Sequence, residues 1–119
     1  MPNNITHLSP KMETLIKENI PSNTICSNLS YFYSIFSDST RLKILIALCL
    51  GEMCVNDLST LLEINQTTLS HQLKVLKTSG AVTTTRKNKF IFYKITNKFV
   101  NNIMINGVDF YLNRKKEVC

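Results

Sequence analysis

The chain has 119 residues, 44% of them hydrophobic, and a formal net charge of +6. That length suits one domain with a core that needs no disulfide staples, and that composition excludes disorder as the dominant state. The charge is uneven: residues 1–65 carry four basic and six acidic side chains, residues 66–119 carry ten and two, and no acid lies between Glu63 and Asp109, which points the second half at a polyanion, nucleic acid first.

Residues 1–10 read as a flexible N-terminal arm ahead of one domain over residues 11–119. Lys11–Asn19 predicts a short helix, stopped by Pro21. A second helix starts near Ile25, with Ile25, Leu29, Phe32 and Phe36 in one apolar stripe at helical spacing. Ser37, Asp38 and Ser39 end it and cap the next helix. That helix runs Arg41–Leu50, with Leu42, Leu45, Ile46 and Cys49 on one face, and Gly51 stops it. Val55–Leu62 is a short helix, Glu63-Ile64-Asn65 a tight connection, and Gln66–Thr78 the following helix. The period then changes to two. Val82–Arg86 and Phe90–Ile95 read as strands, joined at a tip of Arg86, Lys87, Asn88 and Lys89, where Asn88 tolerates positive φ. Asn97 to about Lys115 is a last helix with a broad apolar face of Phe99, Val100, Ile103, Met104, Gly107, Phe110 and Tyr111. The expected fold is therefore mainly α with a small β-hairpin, in the order α-α-α-α-α-β-β-α. It is a winged helix-turn-helix, with the helix-turn-helix over about 55–78 and the wing over 82–95.

On the Gln66–Thr78 helix, Leu69, Leu73 and Leu76 form a narrow stripe that must face the core. The remaining surface carries Gln66, Thr67, Thr68, Ser70, His71, Lys74 and Lys77, and no carboxylate interrupts it. Hydroxyls, an amide, an imidazole and ammonium groups suit base edges and phosphates of a double-stranded DNA operator. Arg86, Lys87 and Lys89 at the wing tip suit phosphates or a minor groove and supply affinity more than specificity. An enzyme is not expected: no nucleophile–base pair, phosphate-binding glycine loop or paired carboxylates is visible, and His71 has no partner base. A winged helix used only for protein contact is the alternative from another class, and steep salt dependence of DNA binding separates the two.

Met1-Pro2-Asn3-Asn4 does not resemble a secretory signal, and the longest apolar run, Ile44–Leu50, is too short to span a bilayer. A cytoplasmic protein with no membrane partner is expected. Cys26, Cys49, Cys54 and Cys119 then act as core fillers, metal ligands or redox sensors rather than structural disulfides.

Four stretches together resemble the ArsR/SmtB family of small bacterial repressors: Phe36 to Leu45 with its Asp-x-x-Arg-Leu, Gly51 to Leu58, Gln66 to Lys77, and Phe90 to Ile95. The resemblance covers about residues 25–113. It implies a homodimer, joined through the first and last helices, that binds DNA and releases it when an inducer binds. An apolar last helix fits that, because one small domain leaves part of it uncovered. Two departures are mild: Glu63 and Asn88 stand where the family often has glycine.

The family's inducer sites suggest where to look for a sensor. One is the segment Glu52-Met53-Cys54-Val55-Asn56-Asp57. Cys54 and Asp57, three apart at a helix start, can both reach one thiophilic ion such as cadmium, lead, zinc or arsenic, and the helix N-terminus favours the Cys54 thiolate. The arsenic- and cadmium-sensing members typically have a second cysteine where this chain has Asn56, so further donors are needed. Cys26 and His7 are the candidates, from the N-terminal end of the partner subunit. A second family site, on the last helix, falls here on Asn97 and Phe99 and near Phe110 and Asn113, which are not zinc ligands. A redox or reactive-sulfur response through Cys49 and Cys119 is the alternative to a metal inducer.

Overall fold

The computed structural model describes residues 5–118. It comprises two compact units, one ending at Tyr31 and the other beginning at Phe32. In the first, helix α1 spans Pro10–Asn19. Ser9 Oγ accepts the Met12 N–H at 3.2 Å, and Pro10 takes the first helical position, where its missing N–H costs nothing. Within the segment expected as a flexible arm, Thr6 donates its hydroxyl to Glu13 of α1. Helix α2, Asn23–Ser34, starts behind Ser22, whose Oγ accepts the Ile25 N–H at 3.3 Å. The stripe expected along α2 is not evenly buried: Phe32 and Phe36 are half-buried, whereas Ile25 and Leu29 stay exposed. Two short helices are too small a unit to enclose a core of their own, and neither contains a buried residue.

The second unit carries the rest of the expected architecture. A 3-10 turn over Ile35–Ser37 leads into α3, Ser39–Leu50, capped by Asp38, whose Oδ2 accepts the Arg41 N–H at 2.9 Å. Then follow β1 (Met53–Cys54), α4 (Val55–Leu62), α5 (Gln66–Thr78), β2 (Val82–Lys87), β3 (Phe90–Ile95) and α6 (Lys98–Val118). The bounds of α4, α5 and β3 are those the periodicity predicts. Strand β2 runs one residue further than expected, and the short strand β1 joins the hairpin in an antiparallel sheet of order β1-β3-β2. Met53 pairs with Tyr93 and Cys54 with Phe92. Two residues are too few for any period to register, so β1 has no signature in the sequence.

The core draws on every large element of this unit. Ile44, Leu45, Leu58, Leu69, Leu73, Leu76 and Val100 are essentially inaccessible to solvent. On α3 the buried set is Ile44, Leu45 and Leu48, not the expected face of Leu42, Leu45, Ile46 and Cys49. The difference arises because α3 packs on two sides. One flank enters the core, while Leu42, Ile46 and Cys49 line open apolar depressions against α6, shared with Met104 and Val108.

Among the described residues, three take left-handed backbone: Glu63 at φ 55°, Asn88 at φ 58° and Gly80 at φ 86°. Glu63 closes α4 and opens the tight connection, and Asn88 turns the wing. Gly51 stops α3 as expected, and does so in extended backbone at φ 171°. Asn97 caps α6, its Oδ1 accepting the Val100 N–H at 3.1 Å. The expected apolar face of α6 is split: Val100 and Met104 are buried, while Phe99, Phe110 and Tyr111 remain exposed.

Candidate nucleic-acid interface

Helix α5 is positioned by its own leucines. Asn65 caps it, its Oδ1 accepting the Thr68 N–H at 2.8 Å, and Leu69, Leu73 and Leu76 are fully buried. Burying each contributes about 1.5–3 kcal/mol, enough to fix the rotation of the helix about its axis. That rotation leaves Gln66, Thr67, Thr68, Ser70, His71, Lys74 and Lys77 exposed together, as the pattern predicts. Gln66 is partly engaged, because its amide donates to Asn56 Oδ1 of α4. This bond ties the two helices of the helix-turn-helix at their N-terminal ends. Ser59 Oγ donates to the Ile64 carbonyl at 2.7 Å and closes the connection between them.

A residue outside the expected site also holds α5. The Arg41 guanidinium donates from Nε to the Ile35 carbonyl at 2.9 Å and from Nη1 to Gln72 Oε1 at 3.1 Å. The Asp-x-x-Arg of the sequence is thus one device: Asp38 starts α3, and Arg41 fastens that start to the middle of α5. The residue spacing is legible in the sequence, but the partner Gln72 carries no signal there.

The wing residues part company. Lys87 pairs with Phe90 and Arg86 with Ile91 in the β2–β3 ladder, so Arg86 and Lys87 leave opposite faces of the sheet. Only Asn88 and Lys89 form the turn, which is tighter than the four-residue tip expected. Arg86 Nε donates to the Asn88 carbonyl at 3.3 Å. Lys87 reaches across the central strand: its ammonium lies 5.2 Å from the centre of the Phe92 ring and forms an ion pair with Glu52. Hydrogen bonding to Lys87 is the main cause of a lowered Glu52 pKa. The charges of Lys87 and Lys94 act in the same direction, and burial opposes them.

The structure brings Cys54 and Asp57 together. The Cys54 thiol donates to Asp57 Oδ2 at 3.2 Å, and the Cys54 backbone N–H donates to the same oxygen at 3.3 Å. Asp57 therefore serves the start of α4 in the manner of a capping box. A thiolate and a carboxylate at this separation fit two corners of one coordination sphere. Among the described residues no three His, Cys, Asp or Glu side chains gather as a metal site. Cys26 is exposed in the first unit, its Sγ 3.7 Å from the Pro21 carbonyl, and His7 is exposed there too. Cys49 is half-buried, and that burial raises its thiol pKa. Cys119 lies outside the described residues. No described helix is long and apolar enough to cross a membrane.

Comparison with known proteins matches this architecture. The family model of the bacterial regulatory proteins of the arsR family matches residues 38–84, from the Asp38 cap into β2. The cadmium resistance transcriptional regulatory protein CadC of Listeria innocua is 38% identical over 84 residues, 70% of this chain and 71% of that protein. The arsenical resistance operon repressor of Staphylococcus aureus is 37% identical over 91 residues, 76% of this chain and 88% of the repressor. Among solved structures, HlyU from Vibrio cholerae superposes with a TM-score of 0.70 at 25% identity, covering 76% of this chain and 99% of that one. The chain belongs to the arsR family of bacterial regulatory proteins and is a winged helix-turn-helix, DNA-binding transcriptional regulator.

Proposed function

We propose that this regulator is a homodimeric repressor whose α5 face reads operator DNA and whose Cys54–Asp57 pair takes a thiophilic metal or metalloid ion as inducer. The observation that carries the DNA reading is the exposed α5 surface of Thr67, Thr68, Ser70, His71, Lys74 and Lys77, which contains no carboxylate. Ser70 and His71 supply base-edge contacts, and Lys74 and Lys77 supply phosphate contacts. Arg86, Lys87 and Lys89 of the wing add phosphate contacts. Uncovered apolar side chains on α6, among them Phe99, Ile105, Phe110 and Tyr111, support association of two copies.

The inducer reading rests on the Cys54 thiol beside Asp57 and on relatives named for cadmium and arsenical resistance. Cys54, its thiol giving up the proton, and Asp57 would hold a soft ion, and ligation by Asp57 would compete with its capping of α4. The first turn of α4 then loses its cap, and α4 is tied to α5 through Asn56 and Gln66. Binding at one end of α4 thereby alters the placement of the reading helix, which couples ion to DNA.

Titration with cadmium tests this. A thiolate charge-transfer band that appears with DNA release, and is lost in Cys54→Ser, supports it. Release by oxidant or polysulfide with no such band overturns the metal inducer while leaving the repressor. Cys26→Ser and His7→Ala, titrated alongside, report whether those side chains complete the coordination sphere.

A further inference from the structure

Lys87 is the one wing cation with a carboxylate partner among the described residues. Its side chain leaves β2, crosses the ring of Phe92 on β3, and meets Glu52 just ahead of β1. One side chain thus spans all three strands. Thirty-five residues separate the pair in sequence, and only the β1–β3 pairing brings them together. Both partners keep contact with solvent, with Lys87 at 53% and Glu52 at 31% side-chain exposure, so the pair can exchange. Glu52 is also the one acid of the short segment that leads into Cys54, and the charge of Lys94, on the same sheet face as Lys87 and Phe92, acts on it as well.

We propose that Glu52 is an electrostatic latch on the wing, holding Lys87 across Phe92 in the free protein and being exchanged for a DNA phosphate when the wing engages. A carboxylate on the phosphate-facing ammonium competes with phosphate for the same charge. The exchange therefore costs the ion pair and leaves a carboxylate near the backbone. An exposed pair of this kind corresponds to at most about fivefold in affinity. The latch lies two residues before Cys54, so the segment that carries the inducer pair also sets the charge available to the wing.

This inference rests on the DNA-binding reading, and the test separates the two. Anisotropy titrations use a labelled duplex of about 30 base pairs of arbitrary sequence, over about 50 to 200 mM salt, because the counterion effect is independent of sequence. Glu52→Gln is expected to bind about fivefold tighter at low salt, with a log–log salt slope steeper by about 0.9 per wing. The gain is expected to vanish in the Glu52→Gln, Lys87→Gln double variant relative to Lys87→Gln alone. Unchanged or weaker binding by Glu52→Gln, with normal salt-dependent binding by the unaltered protein, overturns the latch alone. A gain that survives in the Lys87→Gln background also overturns it, since removing any acid would then do the same. Absence of salt-dependent binding by both proteins overturns the DNA reading and the latch with it.

Discussion

Arg41 Nη1 donates to Gln72 Oε1 at 3.1 Å, linking the first turn of α3 to the middle of the reading helix. The same guanidinium holds the Ile35 carbonyl, so one planar group fixes three elements. A lysine offers a single head and cannot make both bonds in this geometry. Arg41→Lys is expected to lower stability by about 1–2 kcal/mol, and Arg41→Ala by about 1–3 kcal/mol, because the Ile35 carbonyl and the Gln72 amide lose a charge-assisted donor. Urea denaturation followed by circular dichroism measures this. An unshifted midpoint for both variants would show that the contact contributes nothing.

The α5 face divides by role. Lys74→Ala is expected to weaken binding to every duplex by a similar factor and to lower the salt slope by about 0.9. Ser70→Ala and His71→Ala are expected to cost about 1–3 kcal/mol on the operator, with little change on unrelated DNA. Competition titrations with operator and random duplex read both quantities. Equal losses on the two DNAs for Ser70→Ala would remove it from base recognition.

Glu63 adopts left-handed backbone at φ 55°, which costs a residue with a Cβ about 1–2 kcal/mol. Glycine has no such penalty but loses more chain entropy on folding. Glu63→Gly is therefore expected to raise stability by about 0.5–1 kcal/mol. A lower melting temperature would mean that the glutamate side chain holds the connection in a way that outweighs its strain.

The Glu52 carboxyl is held below the usual carboxylate range chiefly by its hydrogen bond from Lys87, with the charges of Lys87 and Lys94 helping and burial opposing. A carboxylate whose pKa is depressed by folding stabilises the folded state above its unfolded value. That contribution fades as the pH falls through the folded value. The stability difference between the unaltered protein and Glu52→Gln is thus expected at neutral pH and to shrink in acid below the ordinary carboxylate range. Denaturation midpoints at a series of pH values measure it, and a difference that grows in acid would contradict the ion pair.

Burial raises the Cys49 pKa, whereas Cys26 is exposed. Alkylation follows thiolate fraction and access. Iodoacetamide at neutral pH is therefore expected to modify Cys26 first and Cys49 slowly, with denaturant removing the difference. Mass spectrometry of peptides gives the order. Equal rates in the folded protein would show that burial does not protect Cys49 and would favour it as a redox sensor.

The reading face of α5 is legible in the amino-acid sequence alone. Leu69, Leu73 and Leu76 recur at helical spacing, and a helix that buries one stripe must expose the rest, so the angular position of Ser70, His71 and Lys74 follows from local periodicity. Asp38 likewise announces a helix start, because capping is a contact between near neighbours. The Cys54–Asp57 pair, three residues apart, belongs to the same class. Tertiary structure alone decided what joins these parts. The two-residue strand β1 exists only because β3 offers it a partner, and without it Glu52 would not meet Lys87. The bonds from Arg41 to Gln72 and from Gln66 to Asn56 join different helices. The burial of α3 depends on how two neighbours divide its faces. Periodicity encodes which side of an element is apolar, and a chain's distant pairings depend on loop closure and packing, which leave no repeat in the sequence.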